Sequence, residues 1–178
     1  TPVAWFAKSS GTTSDKSKFI PLSQESIEDN HFQGSKDVLS IYYNAFPESD
    51  LLTGKMLVIG GSHQVHPIKD DIQYGDLSAV LLQNSPIWSG LVRVPELSIA
   101  LMDEWESKIE MLAQSTIQEP VTSIAGVPTW TMVLLKRILQ ITGKKRIKEV
   151  WPDFELYIHG GVSFTPYRTE FKKIIGGD

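Results

Sequence analysis

Three short apolar runs, each closed by glycine, limit the fold more than any other feature: KMLVIGG at Lys55–Gly61, VTSIAG at Val121–Gly126 and FELYIHGG at Phe154–Gly161. Runs of this length, rich in β-branched or aromatic residues and ended by glycine, read as buried strands of a parallel sheet, where neither face meets water. Between them the apolar residues recur at helical spacing. Ser26–Phe46 carries Ile27, His31, Val38, Leu39, Tyr42, Tyr43 and Phe46 on this period, with Ser23 available as a cap. Ile99–Gln118 sets Leu101, Met102, Trp105, Ile109, Leu112, Ala113 and Thr116 on one face. Further helices are expected over Leu77–Gln83, over Trp130–Ile141 between Pro128 and Gly143, and over Tyr167–Ile175. Val3–Ala7 reads as an opening strand, and the stretch after Gly61 as a polar, irregular loop. Strands spaced by helices predict an α/β fold with a mostly parallel sheet and flanking helices.

Length and charge narrow the function. A chain of 178 residues fits one compact body and buries roughly two thirds of the surface its unfolded form exposes. A net charge of −4 argues against nucleic acid as a partner, because counterion release needs a basic face. The absence of cysteine excludes disulfides, thiolate nucleophiles and cysteine zinc sites. No apolar run has the roughly 18 to 20 residues of a membrane span, and no signal-peptide core is visible, so a soluble, cytoplasmic protein without membrane contact is expected. A loop that looks functional follows Thr1 within ten residues, before a scaffold has been laid down. This is the pattern expected of a piece of a larger domain, with self-association through the surfaces the cut exposes.

That loop lies in WFAKSSGTTSDKSKFIP, residues 5–21, where Ser9, Ser10, Thr12, Thr13, Ser14 and Ser17 surround Gly11, and Lys8, Lys16 and Lys18 add charge. Hydroxyls, backbone N–H groups and ammonium groups together suit a polyphosphate. The spacing is not that of the Walker A loop, which needs a second glycine directly before the lysine. From composition alone, a phosphate loop and a flexible linker stand about even.

Other groups carry less. His63 and His66 with Asp70 and Asp71 lack a regular ligand frame and read as solvated loop residues, so no metal site is assigned. DEWE at Asp103–Glu106 reads as the wet side of a helix, and KKRIK at Lys144–Lys148 as a solvated helix end. Gly160 and Gly161 close a strand and leave room for a flat group against the backbone, although such a pair is usually a plain turn. Val127, Trp130, Thr131 and Leu134 stand at a helix start, where apolar and aromatic residues at helical spacing are mostly core.

SSGTTSDKSKFIP resembles the phosphate loop of adenylate-forming enzymes, and its spacing to Lys18 with the following Phe-Ile-Pro is similar to that of the acyl-acid amido synthetases, the auxin-responsive GH3 family. The likeness continues through GKMLVIGGSHQ, YGDLSAVLLQN, ALMDEWESKIE, SIAGVPTWTMVLLKRILQITGK and VWPDFELYIHGGVSFTPYRTEFKKI, nearly the whole chain. It departs at Asp15, where many such loops have glycine. The resemblance implies a partial adenylate-forming N-terminal domain over residues 1–178, without the mobile C-terminal lid domain, and inactive alone. It implies ATP and Mg²⁺ as cofactors, and a small carboxylic acid and an amino acid as substrates. ATP falls to Ser9, Ser10, Gly11, Thr12, Thr13, Lys16 and Lys18, and on the adenine side to Gly160, Gly161 and Val162. The acid falls to Val127, Trp130 and Thr131. No catalytic side chain and no metal ligand are implied here. An acyl-CoA ligase shares the first half-reaction, and a nucleotide-binding module without catalysis would share the scaffold.

Overall fold

The computed structural model describes residues 3–8, 18–61, 66–69 and 71–177. Its strands are β1 (Trp5–Lys8), β2 (Phe19–Leu22), β3 (Lys55–Val58), β4 (His66–Lys69), β5 (Ile72–Gly75), β6 (Arg93–Val94), β7 (Val121–Ala125) and β8 (Leu156–Ile158). Its α-helices are α1 (Gln33–Ala45), α2 (Leu77–Gln83), α3 (Ser89–Val92), α4 (Leu97–Ala100), α5 (Trp105–Thr116), α6 (Pro128–Thr142) and α7 (Arg168–Ile175). Where length alone predicts a single body, the chain forms two compact units and visits each twice. One holds the residues up to Ser49 together with Gly60–Pro86; the other holds Asp50–Ile59 together with the residues from Ile87 onward.

The first unit is built on a sheet of order β2-β1-β5-β4. β1 and β2 form an antiparallel pair, with Trp5 opposite Leu22 and Lys8 opposite Phe19. β5 lies parallel to β1 on its other side and antiparallel to β4. A small core of Ala7, Leu22, Ile27 and Val80 sits against this sheet. The helix expected from Ser26 is present, but Ser26–Phe32 is wound as a π-helix before α1 takes over. α1 buries none of its residues and leaves Ile41 in solvent. Asp76 starts α2 by accepting a hydrogen bond from the Ser78 N–H at 2.9 Å, which satisfies a backbone donor the helix itself cannot.

The second unit holds the parallel sheet that the apolar runs predict, in the order β6-β3-β7-β8. Leu57 and Ile124, from its two inner strands, are fully buried, and each such side chain stabilises the fold by about 2 kcal/mol. α5 packs on α6 and α6 on α7, which makes these three helices one layer. α6 begins with Pro128 at its first position, where a missing N–H costs nothing, and ends at Gly143, whose φ of 66° is open to glycine. Thr131, Leu134, Leu135 and Ile138 form its buried stripe.

Two readings from the sequence need correction here. The helix expected over Ile99–Gln118 is broken into α4 and α5, because the Glu104 carboxylate turns back to accept from the Glu106 and Ser107 N–H groups at 3.0 and 2.6 Å. Glu104 is thus a helix cap rather than part of a wet helix face. Within KKRIK, Ile147 is fully buried, so that stretch is an anchored turn and not wholly solvated. Trp151 is also buried, and its indole N–H donates to the Thr116 carbonyl at 3.1 Å, near the end of α5.

Candidate functional site

Because the second unit's strands are all parallel, β3, β7 and β8 deliver the residues that follow them to one edge of the sheet. Ligands of open α/β sheets bind at this carboxyl edge. The ladder runs one residue past the strands: the Ile59 N–H donates to Ala125 O at 2.9 Å, and the Gly126 N–H to Ile158 O at 3.1 Å. After Gly126 the chain turns at Val127, in extended conformation, directly into α6. After β8 it runs through His159 and Gly160 to Gly161, whose φ of 79° lies in the region that favours glycine. A Cβ on Gly161 would stand 3.4 Å from a Val127 methyl group, so the two exits run close to each other. A Cβ on Gly160 would meet nothing within 4 Å.

Val127, Trp130, Gly160, Gly161 and Val162 are therefore brought together at one sheet edge. Trp130 and Val162 are exposed there, and the Trp130 ring lies 4.0 Å, centroid to centroid, from that of Trp105. Thr131 and Leu134 differ from these: both are fully buried. The Thr131 hydroxyl donates to the Val127 carbonyl at 3.0 Å, closing the first turn of α6.

Sequence reasoning missed Tyr157. Its hydroxyl donates to the Gly126 carbonyl oxygen at 2.9 Å and lies within hydrogen-bond distance of Thr131 Oγ1, at 3.2 Å. Burial pushes the phenol up to about 12, so it keeps its proton at any ordinary pH. A tyrosine in a strand reads as strand propensity, and the only local signal was its place three residues before the glycine pair.

Ser9, Ser10, Gly11, Thr12, Thr13 and Lys16, as well as Asp15, lie outside the described residues. Lys18 is described; it is exposed and leads directly into β2. His63 and Asp70 also lie outside the described residues, while the His66 ring rests 5.4 Å from Tyr74. Among the described residues no group of three or more His, Asp or Glu side chains is placed to hold a metal ion. A cavity of about 470 Å³ opens between β8 and α7, lined by His159, Phe164, Arg168, Phe171 and Lys172 among others. It contains none of Val127, Trp130, Thr131, Gly160, Gly161 or Val162. β8 is the outer strand of its sheet among the described residues, and the cavity follows that flank.

Among the described residues no helix is long and apolar enough to cross a membrane. No curated protein matches the sequence significantly. Among solved structures, the chain resembles AtGH3.15 acyl acid amido synthetase in complex with 2,4-DB, with a TM-score of 0.74 at 14% identity over 99% of this chain and 39% of that one. It also resembles GH3.15 acyl acid amido synthetase, with a TM-score of 0.65 at 13% identity over 100% of this chain and 40% of that one. The fold is therefore shared, and the chain spans about two fifths of the length of these structures. The model of the GH3 family N-terminal domain matches residues 1–178. An α/β fold with a parallel sheet, and a sequence match that runs from end to end, lead to one assignment: this chain belongs to the GH3 family, in its N-terminal domain.

Proposed function

We propose that these residues supply part of the nucleotide and acid site of an ATP-dependent acyl-acid amido synthetase acting in the cytoplasm. The observation that carries this reading is family membership across residues 1–178. The nearness of Gly161 to Val127 at the carboxyl edge of the parallel sheet supports it. In the reaction, a carboxylate attacks the α-phosphate of ATP, giving an acyl-adenylate and pyrophosphate. The amine of an amino acid then displaces AMP and forms the amide. The attacking carboxylate is already ionised at neutral pH, so no general base is required for this step. Gly160, with open space where a Cβ would stand, leaves room for the flat base. Val127 and Trp130 offer an apolar wall for the acid. Ser9, Ser10, Gly11, Thr12, Thr13, Lys16 and Lys18 take the β- and γ-phosphates. Bound Mg²⁺ would offset charge on the leaving pyrophosphate. Self-association through exposed apolar groups such as Ile87 and Leu91 belongs to the same reading.

The test is acid-dependent pyrophosphate release by the whole protein that carries this chain, with hydroxylamine added to trap an activated acyl group as hydroxamate. Thr12→Ala and Lys18→Ala should each weaken ATP handling about ten- to a hundredfold, the cost of one charge-assisted hydrogen bond. Lys8→Ala, on β1 and ahead of the loop, should do much less. Wild-type ATP kinetics in both of the first two variants would remove the phosphate loop from the proposal. Faster release with coenzyme A than with any amino acid would move the reading to a thioester-forming ligase. ATP binding without release would reduce it to a nucleotide-binding module.

A further inference from the structure

We infer that Tyr157 is a positioning residue for the acid side of the site: its hydroxyl ties the strand that leads to Gly160 and Gly161 to the corner where α6 begins. The inference rests on the adenylation reading above for its role, though not for its geometry. The hydroxyl reaches Gly126 O at 2.9 Å and Thr131 Oγ1 at 3.2 Å, and Thr131 in turn donates to Val127 O at 3.0 Å. One phenol thus engages, directly or through Thr131, the residues on both sides of the Val127–Pro128 turn.

The ring cannot swing away, because it stacks on Phe171 at 4.9 Å and 10° and meets Phe164 at 5.9 Å. The Gly126 N–H also donates to Ile158 O at 3.1 Å, so backbone and phenol together hold this corner to β8. Movement of the corner away from β8 would part Val127 from Gly161, where an added Cβ would stand 3.4 Å from a Val127 methyl group. It would also carry Trp130, one turn into α6, away from the glycine pair. In this role Tyr157 sets the distance between the two exits and holds no substrate itself.

Tyr157→Phe keeps the ring stack and removes only the hydroxyl. In this chain, amide exchange at Thr131, whose N–H donates to Val127 O, should quicken roughly three- to tenfold in the variant, the effect of one net hydrogen bond. Exchange at Phe171 should stay unchanged. Exchange at Thr131 within twofold of wild type overturns the clamp. In the whole protein, the variant should raise KM for the acid by a similar roughly three- to tenfold while KM for ATP stays within about twofold. Equal rises in both constants, or none, overturn the positioning role, since general loosening of the fold would not select the acid. If the wild-type whole protein adenylates no acid, the adenylation reading and the acid-side role fail together, and the exchange measurement alone decides whether Tyr157 holds the corner.

Discussion

Gly126→Ala should destabilise the second unit by about 2 kcal/mol, within the usual cost of overpacking a tight site. The new methyl carbon would stand 2.9 Å from Thr131 Oγ1 and 3.0 Å from Ile59 Cβ, about half an ångström inside the ordinary contact distance of 3.4 Å. Neither neighbour can yield cheaply. Thr131 is fully buried and its hydroxyl is engaged with Val127 O, and the Ile59 Cβ is fixed to backbone whose N–H is bonded to Ala125 O. Relief must come from displacing the corner, at the expense of the Tyr157 and Ala125 hydrogen bonds. Urea unfolding followed by tryptophan fluorescence reports mainly on this unit, because of the five tryptophans only Trp5 lies in the other. With a slope of about 2 kcal/mol per molar, the midpoint should fall by about 1 M. The control is Gly90→Ala in α3, where the same methyl meets nothing within 4 Å. There, lower entropy of the unfolded chain should leave stability unchanged or raise it by about 0.5 kcal/mol. A Gly126→Ala midpoint at or above wild type, or an equal loss in Gly90→Ala, would refute the argument from packing.

Two further outcomes depend on pH. The Glu104 carboxyl is held below its ordinary value of 4.5, first by its hydrogen bond to the Ser107 side chain and then by the Ser107 and Glu106 N–H groups. Its stabilisation is therefore full above the unfolded value and lost as pH falls through the lower folded value, so Glu104→Ala should lower the urea midpoint at pH 7 and match wild type in strong acid. Tyr157, raised from 10.0 to about 12 by burial, contributes stability that is intact below pH 10 and lost as pH rises toward 12. Absorbance titration should therefore find one tyrosine ionising late, and Tyr157→Phe should remove that late ionisation; its persistence in the variant would assign it to another residue.

What the sequence revealed and what it hid follow from the length and setting of each element. α6 was readable because Pro128, Gly143 and a long apolar stripe agree with one another. β2 and β4 were not, because Pro21 and Pro67 argue against strands, and such a residue is tolerated only where one side of the strand is free. Both are outer strands of their sheet, which is where the proline does no harm. The break before α5 was hidden by Leu101 and Met102, which keep the helical period across a stretch where Glu104 needs an extended backbone to cap. At the site, Gly161 and Val127 were named through resemblance, and their nearness could not be seen from positions far apart in the chain. Thr131 was named through resemblance for the acid side, with core as the equal alternative, and it is buried: a β-branched hydroxyl at a helix start bonds back to its own backbone as readily as it faces a ligand.

The interleaving of the two units sets the order in which this protein can be made and the ways it can be divided. β3 leaves the ribosome before β4 and β5, which belong to the other unit, and well before β6, β7 and β8, its own neighbours. The first unit can complete its four strands once residue 75 has emerged, while β3 must wait, extended and apolar, for partners still to be synthesised. A protease or a cloning boundary at Pro86–Ile87 would not separate two foldable halves, for the downstream piece would lack the strand that joins β6 to β7. Neither unit can be excised, swapped or inherited as a continuous stretch of gene. Residues 60–86 are formally an insertion into the second unit, and residues 50–59 an insertion into the first.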